Sequence, residues 1–404
     1  MSALAATSIL TGPSVAEPFS TAPCALQRSQ AHHSEGVDTW NTAYTRPTRA
    51  LDAVMVFLSF PDATPHNTPA ELTADHFPAT SRFFEQASYG RFTLHPHPLS
   101  HWIRMPRPST SYAIRRDWDG TERSAYLRDA FAATDREVDY SRYDVVYFVA
   151  DPDAPGVDSD ATKVVNLQNP VRLDGKDVRR VVTVFEKHPP DRLVLAHETG
   201  HVFDLPDLYH RPADGKGDWD TYVGDWDLMG SQFGLAPDLF AWHKWRLGWL
   251  NPRQVVCVRG AAPTRLTLEP LSAGEEKPDV GAAGPEAFGL GGGVKLAVVR
   301  TGPDTALAFE ARGPAGNDHA ECRQGVLVYR VRSGKDSGGG PIEVVDAHPH
   351  TEACWEGSVY PPLADAPVAL GESFTVPGEG VKVEVEGRTA SGAWTVKITP
   401  RVTG

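Results

Sequence analysis

The chain has 404 residues, 41% of them hydrophobic and 23% charged, an ordinary globular composition with enough length for two or three domains. No uninterrupted apolar run approaches the roughly 20 residues needed to span a bilayer, which excludes a membrane span. The formal net charge is −13 and no Lys/Arg cluster is long enough to track a phosphate backbone, which argues against nucleic acid as a partner.

Residues 1–48 are rich in Ser, Thr, Ala, Pro and His without periodicity and read as a leader or linker. Met1 to Ala16 ends in Ser14-Val15-Ala16, like a small-residue cleavage site, yet the first basic residue is Arg28. A truncated signal with a pro-segment and a disordered tail are therefore equal readings. Regular structure is expected from Leu51, with a buried strand over Asp52–Phe60 that ends at Pro61-Asp62. A helix follows over Pro69–Ser88, then a strand over Phe92–Leu99 and a helix over Glu122–Thr134. Asp144–Ala150 and Arg180–Phe185 read as further buried strands, the latter a candidate edge for an extended substrate. Asp191–Phe203, introduced by Pro189 and Pro190, and Pro237–Leu247 read as helices.

Strands alternating with helices imply an α/β layer over residues 49–251. Beyond Pro252 the pattern changes to short alternating runs punctuated by Gly and Pro: 264–268, 294–300, 306–311, 325–331, 381–385 and 393–398. This is an all-β signature, sandwich-like, over residues 252–404, interrupted by a Gly/Ala-rich loop at Gly281–Gly293. The fold class expected is therefore α+β. The four cysteines include no C-x-x-C pair. Proximity in sequence favours Cys322 with Cys354, which leaves Cys24 with Cys257.

The chemistry is concentrated in His197-Glu198-Thr199-Gly200-His201. Residues four apart on a helix lie one turn apart on one face, so two imidazoles so placed can share one Zn²⁺. Glu198 sits one position round, able to reach a water on the metal as general base without ligating it. A chance match on a surface helix is the bland alternative. Gly200, a weak helix former between the two histidines, hints at close packing there. A third ligand must follow, and Asp207 and His210 are both chemically competent once the chain turns after Asp204–Pro206.

The longer pattern His197-Glu-x-x-His201-x-x-Asp204-x-x-Asp207 resembles the metzincin signature, and Trp226-Asp-Leu-Met229-Gly resembles the Met-turn of that clan. Within it the chain most resembles the secreted immune inhibitor A-like bacterial metalloproteases. Leu205-Pro-Asp207-Leu-Tyr209 and Trp242-x-Lys244-x-x-Leu247-Gly-Trp249 carry that likeness, with flanking similarity over about residues 50–400. The resemblance implies a metzincin-like α/β catalytic domain with an active-site helix, Asp207 as third ligand, and Met229 beneath the metal. It departs at Asp204, where the family has a glycine that takes φ > 0, a conformation Asp tolerates less well.

The function this implies is a secreted, monomeric zinc endopeptidase acting on proteins or peptides. Tyr209 or Tyr222 is a candidate hydroxyl for transition-state stabilisation, each set against the commoner role of a buried structural tyrosine. Asp151-Pro-Asp153, Asp158-Ser-Asp160 and Asp214–Asp220 are candidate structural Ca²⁺ sites, set against the commoner case of solvated acidic loops. The competing class is a protein that kept the fold, lost turnover and binds partners through its β domain.

Overall fold

The computed structural model describes residues 22–191, 193–212, 216–274 and 292–400. Met1–Ala16, Asp214 and nearly all of the Gly281–Gly293 loop lie outside the described residues. Strand β1 (Leu51–Ser59) sends Ala53, Met55 and Phe57 into one core and Val54, Val56 and Leu58 into another. Burial on both faces removes the need for polar alternation. The helix expected over Pro69–Ser88 is two helices, α1 (Pro69–His76) and α2 (Ala79–Ala87). Pro78 lies between them and, having no amide to donate, stops the helical ladder. Thr68 and Glu71 close a reciprocal capping box at the start of α1.

Next come β2 (Leu94–Arg104), α3 (Gly120–Thr134), β3 (Val145–Ala150), β4 (Lys163–Leu173) and β5 (Lys176–Val184). Asp119 caps α3 by accepting from the Thr121 amide. The sheet order is β2-β1-β3-β5-β4, parallel except for β4, which pairs antiparallel with β5. β4 was not expected from sequence. It is joined to β5 by the two-residue turn Asp174-Gly175, both at positive φ (46° and 79°), the backbone a tight hairpin requires. One expectation is corrected here: the strand over Arg180–Phe185 lies inside the sheet, between β3 and β4, and the edge on that side belongs to β4.

Two helices follow, α4 (Val194–Val202) and α5 (Ala241–Leu247), both starting later than expected. Then come β6 (Val255–Val258), β7 (Thr264–Leu268), β8 (Leu296–Arg300), β9 (Thr305–Arg312) and β10 (Gly325–Arg332). β11 (Ile342–Val344), β12 (Ser373–Thr375), β13 (Lys382–Arg388) and β14 (Trp394–Thr399) complete the order. They make two sheets, β11-β10-β9-β8-β6 and β12-β13-β14-β7, facing each other across Leu307, Phe309, Val328, Val383 and Trp394. The opposite face of the β8–β11 sheet, with Val298, Tyr329 and Val331, joins the core that holds α4, α5 and one face of β1. The protein is thus mixed α/β with few helices and, among the described residues, three sheets. No described helix is long and apolar enough to cross a membrane. Cys24 is bonded to Cys257 and Cys322 to Cys354, as their spacing favoured.

From residue 22 onward, the stretch read as leader or linker is threaded into the molecule, with Leu26 and Val37 fully buried. Its lack of periodicity reflects irregular backbone, held by side chains from elsewhere. Glu35 reaches into the core and accepts from His243 Nε2 at 2.9 Å, while Asp227 faces Nδ1 at 3.0 Å. Burial alone would lower the His243 pKa, but Glu35 and Asp227 outweigh it and raise it to about 9. Because the folded value lies above the unfolded one, the stabilisation is complete below about pH 6.5 and is lost as pH rises through about 9. Denaturant titrations of wild type and His243→Gln should therefore differ most near pH 6, and the gap should shrink by roughly 3 kcal/mol above pH 9.

Candidate metal centre

His197 and His201 lie one turn apart on α4 with ring centroids 5.0 Å apart. Each Nδ1 is tied to a backbone carbonyl, His197 to Leu228 O at 2.9 Å and His201 to Leu205 O at 2.8 Å. A neutral ring that donates its Nδ1–H presents a lone pair at Nε2. Both Nε2 atoms converge on Asp207 Oδ1, at 3.5 and 3.0 Å. These three residues form, among the described residues, the one group of His, Cys, Asp or Glu able to hold a metal ion, with ligand atoms within 4.8 Å of one another.

Bringing Asp207 back to the helix requires a sharp reversal, and Asp204 makes it at φ 67°. This is the left-handed region that a side chain resists and that Asp, with its short polar group, enters more readily than most residues. The Asp204 carboxylate is fully buried, accepts from Arg28 Nη2 and from His33 Nδ1 at 2.8 Å, and is ion-paired with Arg246 Nη2 at 2.9 Å. Burial would raise its pKa, but the His33 hydrogen bond and the charges of Arg246 and Arg28 hold it below the usual range.

Asp207 is gripped from across the chain. Its amide donates to Ser337 Oγ at 2.8 Å, and that hydroxyl donates to Asp207 Oδ2 at 3.1 Å. The Gly338 amide donates to Asp207 O at 2.9 Å. Oδ1, by contrast, is buried and faces no polar group but the two Nε2 atoms. A carboxylate oxygen whose only near polar neighbours are two imidazole Nε2 atoms suits a borderline divalent cation such as Zn²⁺, which would take the place of the proton that His201 otherwise shares with it. Burial would raise the Asp207 pKa, but His201 and His197 hold it well below the usual carboxylate range. His201 is raised to about 9: burial lowers it, and the Asp207 charge outweighs that.

Glu198 is buried beside the histidines and accepts from the Val164 amide of β4 at 2.8 Å. Burial raises its carboxyl above the ordinary range, against the opposing pull of His201 and His197. Met229 is fully buried beneath α4, and a Cβ on Gly200 would lie 2.5 Å from its Sδ and 3.2 Å from its Cε. That approach accounts for a glycine inside this helix. The same turn supplies Leu228 O to His197.

Tyr209 lines the same cleft, its ring 6.3 Å from that of His197 and nearly parallel to it. Tyr222 is not among the cleft-lining residues; its hydroxyl is engaged by His210 Nδ1 at 3.1 Å, and His210 is not part of the candidate metal group. The cleft, about 650 Å³, is further lined by Lys163, Asn166, Trp219 and Phe233. The acidic loops serve their own backbone: Asp151 Oδ1 accepts from the Asp153 amide and Asp158 Oδ1 from the Asp160 amide, each at 3.1 Å. Sequence reasoning passed over Ser337, His33 and Arg28, which no local pattern connects to residues 197–207.

No family model matches the chain, and no curated protein does. Among solved structures it is similar to wild-type OgpA from Akkermansia muciniphila, at 12% identity over 88% of this chain and 94% of that one. The TM-score is 0.26, a likeness too slight to bear on fold or function.

The contact between Gly200 and Met229 is directly testable. Gly200→Ala should destabilise the protein by about 1–3 kcal/mol, because Met229 is enclosed and cannot swing clear. Adding Met229→Ala should recover part of that loss, read as a positive coupling in a double-mutant cycle of thermal unfolding.

Proposed function

We propose that the protein is a zinc-dependent endopeptidase of metzincin-like design, secreted, acting on extended protein or peptide substrates. The observation that carries this reading is the convergence of His197 Nε2, His201 Nε2 and Asp207 Oδ1 at the floor of an open cleft, with Glu198 beside them. The Met229 turn beneath α4 and the reversal at Asp204 support it. Two disulfides and the lack of a membrane-length helix among the described residues are consistent with an extracellular setting.

A Zn²⁺ held by His197, His201 and Asp207 would supply Lewis acidity toward a peptide carbonyl. Glu198 Oε2 is occupied by the Val164 amide, which leaves Oε1 to accept a proton from water at the cleft floor and return it to the departing amine. Its position in a buried pocket, with a raised pKa, suits a group that must both take and release a proton. The edge of β4, with Lys163, Val164 and Asn166 on the cleft, would align an extended chain by strand addition. Backbone pairing of this kind tolerates varied side chains.

Purified protein should contain about one zinc per chain and hydrolyse casein, and a chelator should abolish hydrolysis until zinc is restored. Glu198→Ala should lower turnover by roughly 10²–10⁴-fold with zinc content unchanged. Hydrolysis that survives both treatments would sink the zinc mechanism. A zinc-loaded protein with no hydrolysis would instead favour a binding protein on the same fold.

A further inference from the structure

Residues 22–48 reach the metal centre by two separate routes. The first runs through Asp204. Arg28 and His33 donate to its two carboxylate oxygens, and Arg246 closes the third side. With those donors in place, the residue that turns the chain toward Asp207 has one arrangement of its side chain and backbone. Glu35 fastens the same segment to α5, accepting from His243 Nε2 through its carboxylate and from Trp242 Nε1 through its carbonyl at 3.1 Å.

The second route runs through the β10–β11 loop. Ser29 Oγ and Ser34 Oγ both donate to Ser333 O, at 2.5 and 2.7 Å. The His32 amide donates to Asp336 Oδ1 at 2.7 Å, and the Ser337 amide returns a bond to His32 O at 3.1 Å. Ser337 is the residue that clasps Asp207 by both amide and carboxylate. The turn before Asp207 and the loop across from it are therefore fastened to the same seven residues, 28–34. Cys24–Cys257 and the burial of Leu26 and Val37 hold that segment at its ends.

We propose that residues 28–34 form a strap whose role is to position the third metal ligand, with Arg28 and His33 as positioning residues that act on Asp207 through Asp204. The inference rests on the reading of His197, His201 and Asp207 as metal ligands. It assigns the strap to the working protein: a chain cut so as to shed Arg28 and His33 keeps all three ligands but loses the geometry of one.

The test is zinc affinity of the full chain by competition with a chromogenic chelator, alongside thermal unfolding of the metal-free protein. His33→Phe and Arg28→Met should each weaken zinc binding by roughly 10–100-fold, the usual effect of removing a group that orients a ligand. His33→Asn, whose amide can still donate to Asp204 Oδ1, should retain affinity within about threefold. Asp336→Ala lies on the exposed loop, leaves the core intact and removes the joint to the His32 amide. It should weaken zinc several-fold, and it decides the matter should the buried variants not fold. Variants that unfold at lower temperature yet bind zinc as tightly as wild type would overturn the strap and reduce these residues to simple stabilisers. A wild-type chain that binds no stoichiometric zinc would instead overturn the metal reading, and the strap with it.

Discussion

Burying a carboxylate costs several kcal/mol unless cations and hydrogen bonds meet it, and Asp204 is met on three sides by Arg28, His33 and Arg246. That arrangement explains how a residue other than glycine holds φ 67° just beyond the end of α4. Glycine would reach the same backbone by freedom. Aspartate reaches it by being tied, and the tie converts a local turn into a long-range constraint. Arg28 lies 176 residues from Asp204 in sequence, so the turn is right only when distant parts of the chain are docked.

The same dependence appears in the way the sheets stack. One face of the β8–β11 sheet packs on the last sheet and the other enters the core of α4, α5 and β1. A layer buried on both sides gives its loops little room to drift. Ser337 projects from one of those loops, and its hydroxyl is the direct partner of Asp207. The β region thus contributes to the candidate metal centre through rigidity, supplying no member of that group among the described residues.

What was legible in the sequence was local. The i, i+4 histidines, the intervening glutamate and the Met229 turn declare themselves because helix periodicity and short spacing bring them together in a short window. The glycine at 200 was a weak hint whose cause, the sulfur of Met229 beneath it, needed the fold. Pro78 could have divided α1 from α2, and Asp174-Gly175 could have announced the β4–β5 hairpin; both signals were present and outweighed by apolar runs on either side. Glu35, His33 and Ser337 carried no signal at all. Their partners lie 208, 171 and 130 residues away, and nothing in a short window ranks one buried polar residue above another.

The Cys24–Cys257 bond closes a loop over a sequence separation of 233 residues, which contains the whole first sheet and His197, His201 and Asp207. In the chain-entropy picture a closure of that length restricts the unfolded ensemble by about 5 kcal/mol. Its second effect is on timing. During synthesis the bond must wait for residue 257, and the clasp on Asp207 for residue 338, more than a hundred residues after Asp207 itself. The turn that carries Asp207 has all its partners only when residues 28–34 and the β10–β11 loop are both in place. The topology thus makes the candidate metal centre the last part of this chain that can be completed.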